Sequence, residues 1–234
     1  MINIYARLLF PRWHYQGIPG ASLQVFSGMY SSFILSLNNP VLNLITREPM
    51  SRRQFSPDDP ERRQWQDPDQ ILTTIGLEPG MVFVDMGCGD GYFALPAARR
   101  VGPGGRVYAN DIDDGAIERL RQRAAQEGLD NLAAQVKESE EMIACESCAD
   151  IVFFGIDLHD FQDPARVLAN ARKMLRHGGR VVDLDWKDQP TPFGPPLEKR
   201  FSIGKVKSLV SSAGFHVESV QDSGPWHYLI IARR

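Results

Sequence analysis

From about residue 67 onward, apolar residues fall into short blocks separated by polar turns, and the blocks alternate between two spacings. Val82-Phe83-Val84-Asp85-Met86 sets four apolar residues around one acid, the pattern of a parallel strand covered on both faces. Arg106 to Asn110, Leu132 to Val136, Asp150 to Ile156 and Val181 to Trp186 predict further strands. His216 to Val220 and His227 to Ala232 predict two more, paired antiparallel. Helical spacing lies between them. Asp67-Pro68 caps a helix to about Thr74, and another runs from about Phe93 to Arg100. Asp113 or Asp114 opens a helix with Ile117, Leu120 and Ala124 on one face. Pro164 opens one with Val167, Leu168, Ala171 and Leu175 inward, ended by Gly178-Gly179, and Ile203 to Ala213 is closed by Gly214. Strand and helix alternate, so the class is α/β with a largely parallel sheet, whose ligands sit at the carboxyl ends of the strands beside the switch in strand order.

Composition changes near residue 50. Residues 1–49 carry only Arg7, Arg12, Arg47 and Glu48 as charges, whereas 51–69 are dense in Arg, Asp, Glu and Pro. The expectation is an N-terminal extension over 1–49, a charged, extended and solvated lead-in over 50–67, and one domain over 68–234. The extension is poorly structured or a small cap, or untranslated if the start is Met50. A net charge of −3 gives no footprint for nucleic acid. Three cysteines make no disulfide framework and suit a reducing compartment. No apolar run approaches the ~20 residues that span a bilayer, so the expected location is cytoplasmic.

After the first strand come three glycines at alternate positions, Gly87-Cys88-Gly89-Asp90-Gly91. They let the backbone turn and approach a ligand with no Cβ in the way, and the following helix can receive an anionic group. An acid at the mouth of a buried strand is costly unless something pairs with it, so Asp85 argues for an occupied turn. A dinucleotide fingerprint would need glycine where the chain has Tyr92, and no Gly-Lys-Ser/Thr follows. An acid two residues before G-x-G-x-G resembles the cofactor loop of the class I S-adenosylmethionine-dependent methyltransferases, and the loop after the fourth strand, Leu158-His159-Asp160, resembles that of the ubiquinone- and menaquinone-type group.

That resemblance implies a Rossmann-like, doubly wound, mostly parallel seven-stranded sheet with an antiparallel C-terminal strand. It also implies S-adenosylmethionine as methyl donor, held by Asp85, Gly87, Cys88, Gly89 and Gly91. Asp111, twenty residues beyond Gly91, is placed to accept both ribose hydroxyls, with Ile112 along the adenine face. Lys137-Glu138-Ser139 resembles the family's adenine segment, Glu138 taking the amino group and the Ser139 backbone N–H the ring. Phe154 and Gly155 should border the methionine end. Asp157, His159 and Asp160 should face the substrate; the family often has Leu-His-His where this chain has Leu158-His159-Asp160. His159 beside a carboxylate can serve as base near neutral pH, which makes His159 and Asp160 the catalytic candidates.

Asp185 lies where the metal-dependent catechol-type enzymes place a magnesium-binding Asp, with Asp157 a second ligand, but Trp186 breaks that pattern; no metal is expected and magnesium is the minor alternative. Asp183 points into a covered face and needs a hydrogen-bond partner. Arg200 and Lys187 are candidate contacts for an anionic substrate. Cys145-Glu146-Ser147-Cys148 lacks the second pair a structural zinc site needs and reads as incidental. The expected function is methyl transfer by direct displacement to a small-molecule acceptor. Its rivals are a non-catalytic S-adenosylmethionine-binding module and a nicotinamide-dependent oxidoreductase.

Overall fold

Phe83, Val84, Asp85 and Met86 pair in parallel register with strands on both sides, which puts the first strand, β1 (Val82–Met86), inside the sheet. The computed structural model describes residues 60–234; the expectations for 1–49 and Met50 lie outside the described residues. The strands that follow are β2 (Arg106–Asp111), β3 (Leu132–Val136), β4 (Ala149–Gly155), β5 (Leu175–Trp186), β6 (His216–Ser223) and β7 (His227–Arg233). Among the described residues they form one seven-stranded sheet in the order β3-β2-β1-β4-β5-β7-β6. All pairs are parallel except those of β7, which runs antiparallel between β5 and β6. The order reverses between β1 and β4, so the turn after β1 opens at the switch point.

The helices are α1 (Pro60–Trp65), α2 (Pro68–Thr74), α3 (Ala94–Val101), α4 (Asp114–Gln126), α5 (Pro164–Met174) and α6 (Ile203–Ser212). Asp67, Asp113, Asp163 and Ser202 each accept a first-turn N–H, at 3.0, 3.1, 3.0 and 3.2 Å. Caps of this kind are worth about 1 kcal/mol each. Strand alternation sends Phe83, Val107, Phe153 and Val182 into one core with α2, α3 and α4. Val84, Met86, Phe154, Val181 and Tyr228 fill the other with α5 and α6.

Two expectations change. β5 begins at Leu175, not Val181: the register with β4 shifts between Ala149 and Ile151, and the two glycines serve that irregularity instead of ending a helix. A Cβ on Gly179 would meet the Ala149 carbonyl oxygen at 2.9 Å, so the glycine permits two strands to close up there. Within the lead-in expected to be extended, residues 60–65 are helical.

Gly91 is required by packing. Its φ is +89°, and a Cβ would lie 2.4 Å from Cδ1 of Leu120, which is fully buried. Gly91→Ala is expected to cost roughly 2–4 kcal/mol, combining backbone strain with overpacking, read as a lowered urea midpoint.

Candidate functional site

The turn after β1 is tied down by β2 on one side and left open on the other. Gly87 and Cys88 N–H groups both donate to the Asn110 carbonyl at 2.9 Å. Gly89 N–H donates to Asp111 Oδ2 at 2.8 Å, while Asp113 N–H donates to Oδ1 at 2.9 Å. Each oxygen of Asp111 thus keeps a second lone pair for another donor. A Cβ on Gly87 would reach Asp157 Cγ at 2.7 Å, whereas on Gly89 it would meet nothing within 4 Å. Gly89 therefore faces a cavity of about 400 Å³, lined also by Asp85, Cys88, Asp111, Gly155 and Asp157.

Two carboxyls in this cavity each keep one oxygen without a partner. Asp85 is 1% exposed, and Asp85 Oδ2 and Asp157 Oδ2 are enclosed with no hydrogen-bond partner. Burial, then the charge of Asp111, pushes Asp85 up to about 7. Asp157 is half-buried as a residue, but its enclosed carboxyl is pushed well up by burial and by Asp85. The chain reaches Asp157 through Ile156 at φ +75°, a conformation a β-branched residue adopts only at a cost of about 1–3 kcal/mol. Strain and unpaired charge at one place suit a cationic ligand that compensates both carboxylates.

A second cavity of about 410 Å³ shares Gly87, Asp111 and Asp157, and continues past Ile112, Glu138 and Ser139 to Asp160. Ile112, an apolar side chain, is 73% exposed. Ser139 is buried and its Oγ accepts from Asn110 Nδ2 at 3.0 Å, which joins the turn after β3 to β2. The structure thus brings Asp85, Gly87, Cys88, Gly89, Asp111, Ile112, Glu138, Ser139 and Asp160 onto two contiguous cavities. Gly91 lies instead in a small crevice beside Leu95 and Arg99. Phe154 is fully buried in the second core, and Gly155 lines the cavity in its place.

His159 lines neither cavity. Its imidazole is enclosed, with Nδ1 2.8 Å from Asp185 Oδ2 and Nε2 3.4 Å from Asp160 Oδ2. Burial pushes the imidazole down, but the hydrogen bond and charge of Asp185, with Asp160, outweigh it and leave it above the ordinary 6.5. A carboxylate can only accept from Nδ1–H here, so Asp185 fixes the tautomer and turns Nε2 toward Asp160. Asp185 also accepts from the Trp186 N–H at 2.7 Å. Among the described residues no group of three or more His, Cys, Asp or Glu side chains is placed to hold a metal ion.

Asp183 is buried as alternation requires, yet neither oxygen makes a hydrogen bond of good geometry. Burial, then Asp185, pushes it well up, and the nearby Tyr228 hydroxyl offsets only part of this. Arg200 and Lys187 are engaged within the protein. Arg200 donates to the carbonyls of Pro195 at 2.9 Å and Gln189 at 2.8 Å, and Lys187 Nζ pairs with Asp222 at 2.9 Å. Arg200 thus staples the loop after β5. Cys145 and Cys148, expected to be incidental, are joined as a disulfide with Cα atoms 6.0 Å apart.

One grouping has no local signal in the chain. The indole of Trp65 stacks on His227 (5.3 Å between ring centroids, 13° between planes) and packs against Phe193 at 5.2 Å and Trp226 at 5.7 Å. His227 is fully buried with both nitrogens unpartnered, and burial pushes it down to about 3. Trp65 and Arg62 of α1 reach the first cavity from this side.

Comparison with known proteins bears on the family and the fold. The family described as "Methyltransferase domain" matches residues 77–213. A ubiquinone/menaquinone biosynthesis C-methyltransferase from Bordetella avium is 31% identical over 53% of this chain and 50% of its own length. Nocamycin O-methyltransferase from Saccharothrix syringae is 28% identical over 59% of this chain and 47% of its own length. The crystal structure of a SAM-dependent methyltransferase from Aquifex aeolicus aligns with a TM-score of 0.71 at 26% identity, covering 77% of this chain and 99% of that one. The chain spans about half the length of the curated relatives it matches.

Proposed function

The chain belongs to the methyltransferase-domain family as a class I, S-adenosylmethionine-dependent type, and from that membership we propose that it methylates a small-molecule acceptor. The observation that supports this best is that Asp85 and Asp157, which line the cavity Gly89 faces, each enclose a carboxyl oxygen, Oδ2, with no hydrogen-bond partner. S-adenosylmethionine, when bound, supplies a methyl group already activated on a sulfonium, which passes to the acceptor's nucleophile as S-adenosylhomocysteine leaves. Asp85 and Asp157 would hold the cationic end, Gly87 lets the turn close on Asp157, Cys88 and Gly89 line the space it would take, and Asp111 would accept the ribose hydroxyls. Ile112 covers the adenine face, and Glu138 and the Ser139 backbone take its edge. The main contribution of such a site is alignment, worth up to ~7–11 kcal/mol.

Asp160 and His159 supply the base. Asp160 lines the second cavity and stands 3.4 Å from the enclosed His159 Nε2, so a proton leaves the acceptor to Asp160 and rests on His159, where Asp185 stabilises the imidazolium. His159→Ala is expected to lower kcat by roughly 10²–10⁴ for an acceptor that must lose a proton, with the Kd for S-adenosylhomocysteine unchanged. Because the imidazole titrates above its ordinary 6.5, the rate should rise with pH through that range and then level. Equal kcat in the variant removes the base role. The reading as a whole is tested by incubating the full-length protein with labelled methyl donor and metabolite extract, and following labelled product mass with S-adenosylhomocysteine release. Binding of the donor without turnover on any acceptor would favour a binding module. No helix among the described residues is long and apolar enough to cross a membrane.

A further inference from the structure

The amino-acid end of the proposed cofactor carries two opposite charges on one carbon, and the carboxyls of Asp85 and Asp157 answer only the positive one. Asp85 and Asp157 suit the ammonium; the carboxylate needs a cation in the same cavity. Two arginines line that cavity, Arg62 and Arg119. Arg119 belongs to the ribose end, with Nε 3.1 Å and Nη2 2.7 Å from Asp90 Oδ1 and its charge acting with Asp90 and Asp113. Arg62 belongs to the other end, where its charge is felt by Asp85. Its guanidinium lies 3.5 Å over the Tyr92 ring, and Nε donates to Gln66 Oε1 at 2.8 Å. The Tyr92 hydroxyl in turn donates to the Gln66 carbonyl, so stacking and hydrogen bonds together set the plane of the fork.

We infer that Arg62 receives the carboxylate at the amino-acid end of the cofactor, so that α1, which lies outside the family-matched stretch, completes the site. This rests on the methyltransferase reading. A planar guanidinium takes a carboxylate by two parallel hydrogen bonds, which an ammonium on a flexible stem does not reproduce. Trp65 is the positioning residue: seated among His227, Phe193 and Trp226, it holds the end of a six-residue helix that no ladder of the sheet secures.

The test is calorimetry on the full-length protein with S-adenosylhomocysteine and with its decarboxylated analogue, which keeps the amine and the nucleoside. The native protein should prefer S-adenosylhomocysteine by about tenfold or more. Arg62→Ala should weaken S-adenosylhomocysteine roughly 10- to 100-fold and the analogue by less than about threefold, with Arg62→Lys recovering only part. Equal losses for both ligands, or no loss, overturn the inference. So does equal affinity of the native protein for the two, a result that needs no variant to fold. A native protein that binds neither ligand ends the methyltransferase reading and this inference together, whereas equal binding of both ends this inference alone.

Discussion

Replacing Gly89 with leucine is expected to leave a folded protein whose affinity for S-adenosylhomocysteine drops at least about 100-fold, since a filled cavity excludes the ligand atoms that would occupy it. The argument is geometric. A Cβ at Gly89 meets nothing within 4 Å, so the new side chain projects into the cavity and not into the protein. Its φ of +50° costs a non-glycine residue about 1–2 kcal/mol, which a domain of this size tolerates. The N–H that donates to Asp111 Oδ2 stays in place. Gly91→Ala, two residues on, should do the reverse: lower stability, with ligand affinity following only through folding. Circular dichroism melts and calorimetry on the two variants separate these outcomes. A Gly89→Leu protein that binds as tightly as the native one would move the ligand away from this turn.

The contrast between those glycines was not legible in the chain, where three alternate glycines look alike. What could be read was the strand that precedes them, because burial on both faces leaves an apolar run interrupted only where function asks for an acid. Asp111 was legible too, through its place at the end of the neighbouring strand. Phe154 shows where the reading loses precision: pairing Asp85 with Phe153 sends Phe154 to the opposite face, and a one-residue difference in parity exchanges core for cavity. Gly178-Gly179 is ambiguous in a different way, since a helix stop and a bulge ask for the same residue. The charges of 50–67 suggested solvent, yet Arg62 lies on an aromatic ring and the next turn buries Gln66, contacts set by residues far along the chain. His159 looked like a residue facing substrate because its partner Asp185 is 26 positions away. The ring cluster about Trp65 is drawn from 65, 186, 193, 226 and 227, and no window of sequence contains it.

Asp85→Asn should stabilise the protein while weakening its hold on the cofactor, and both effects should depend on pH. In the folded chain the carboxyl is moved from the ordinary 3.8 to about 7. A group raised in this way contributes its stability in full below 3.8 and loses it as pH rises toward 7, because the unfolded chain ionises first. At about 1.4 kcal/mol per pKa unit, the upper bound on the loss above pH 7 is roughly 4 kcal/mol. Asparagine cannot ionise, so the variant should gain on the native protein progressively between pH 4 and 7. A gain of about 1–3 kcal/mol at pH 8 is expected once relaxation is allowed for. Asp111, Asp157, Cys88 and Arg62 face the same cavity; the charge of Asp85 raises both Asp157 and Cys88, so the difference between the two curves measures Asp85 together with its coupling to them. A ligand bearing an ammonium favours the ionised carboxyl, so binding should expel a proton near neutrality, and native affinity should rise with pH up to about 7. The variant should bind more weakly at pH 8 and keep only the slope due to Asp157. Urea unfolding from pH 4 to 8, with calorimetry in buffers of different ionisation enthalpy, measures both effects. If the two stability curves ran parallel and the ligand released no proton, the buried acid would be neutral for some other reason, and the cavity would not be holding a cation against it.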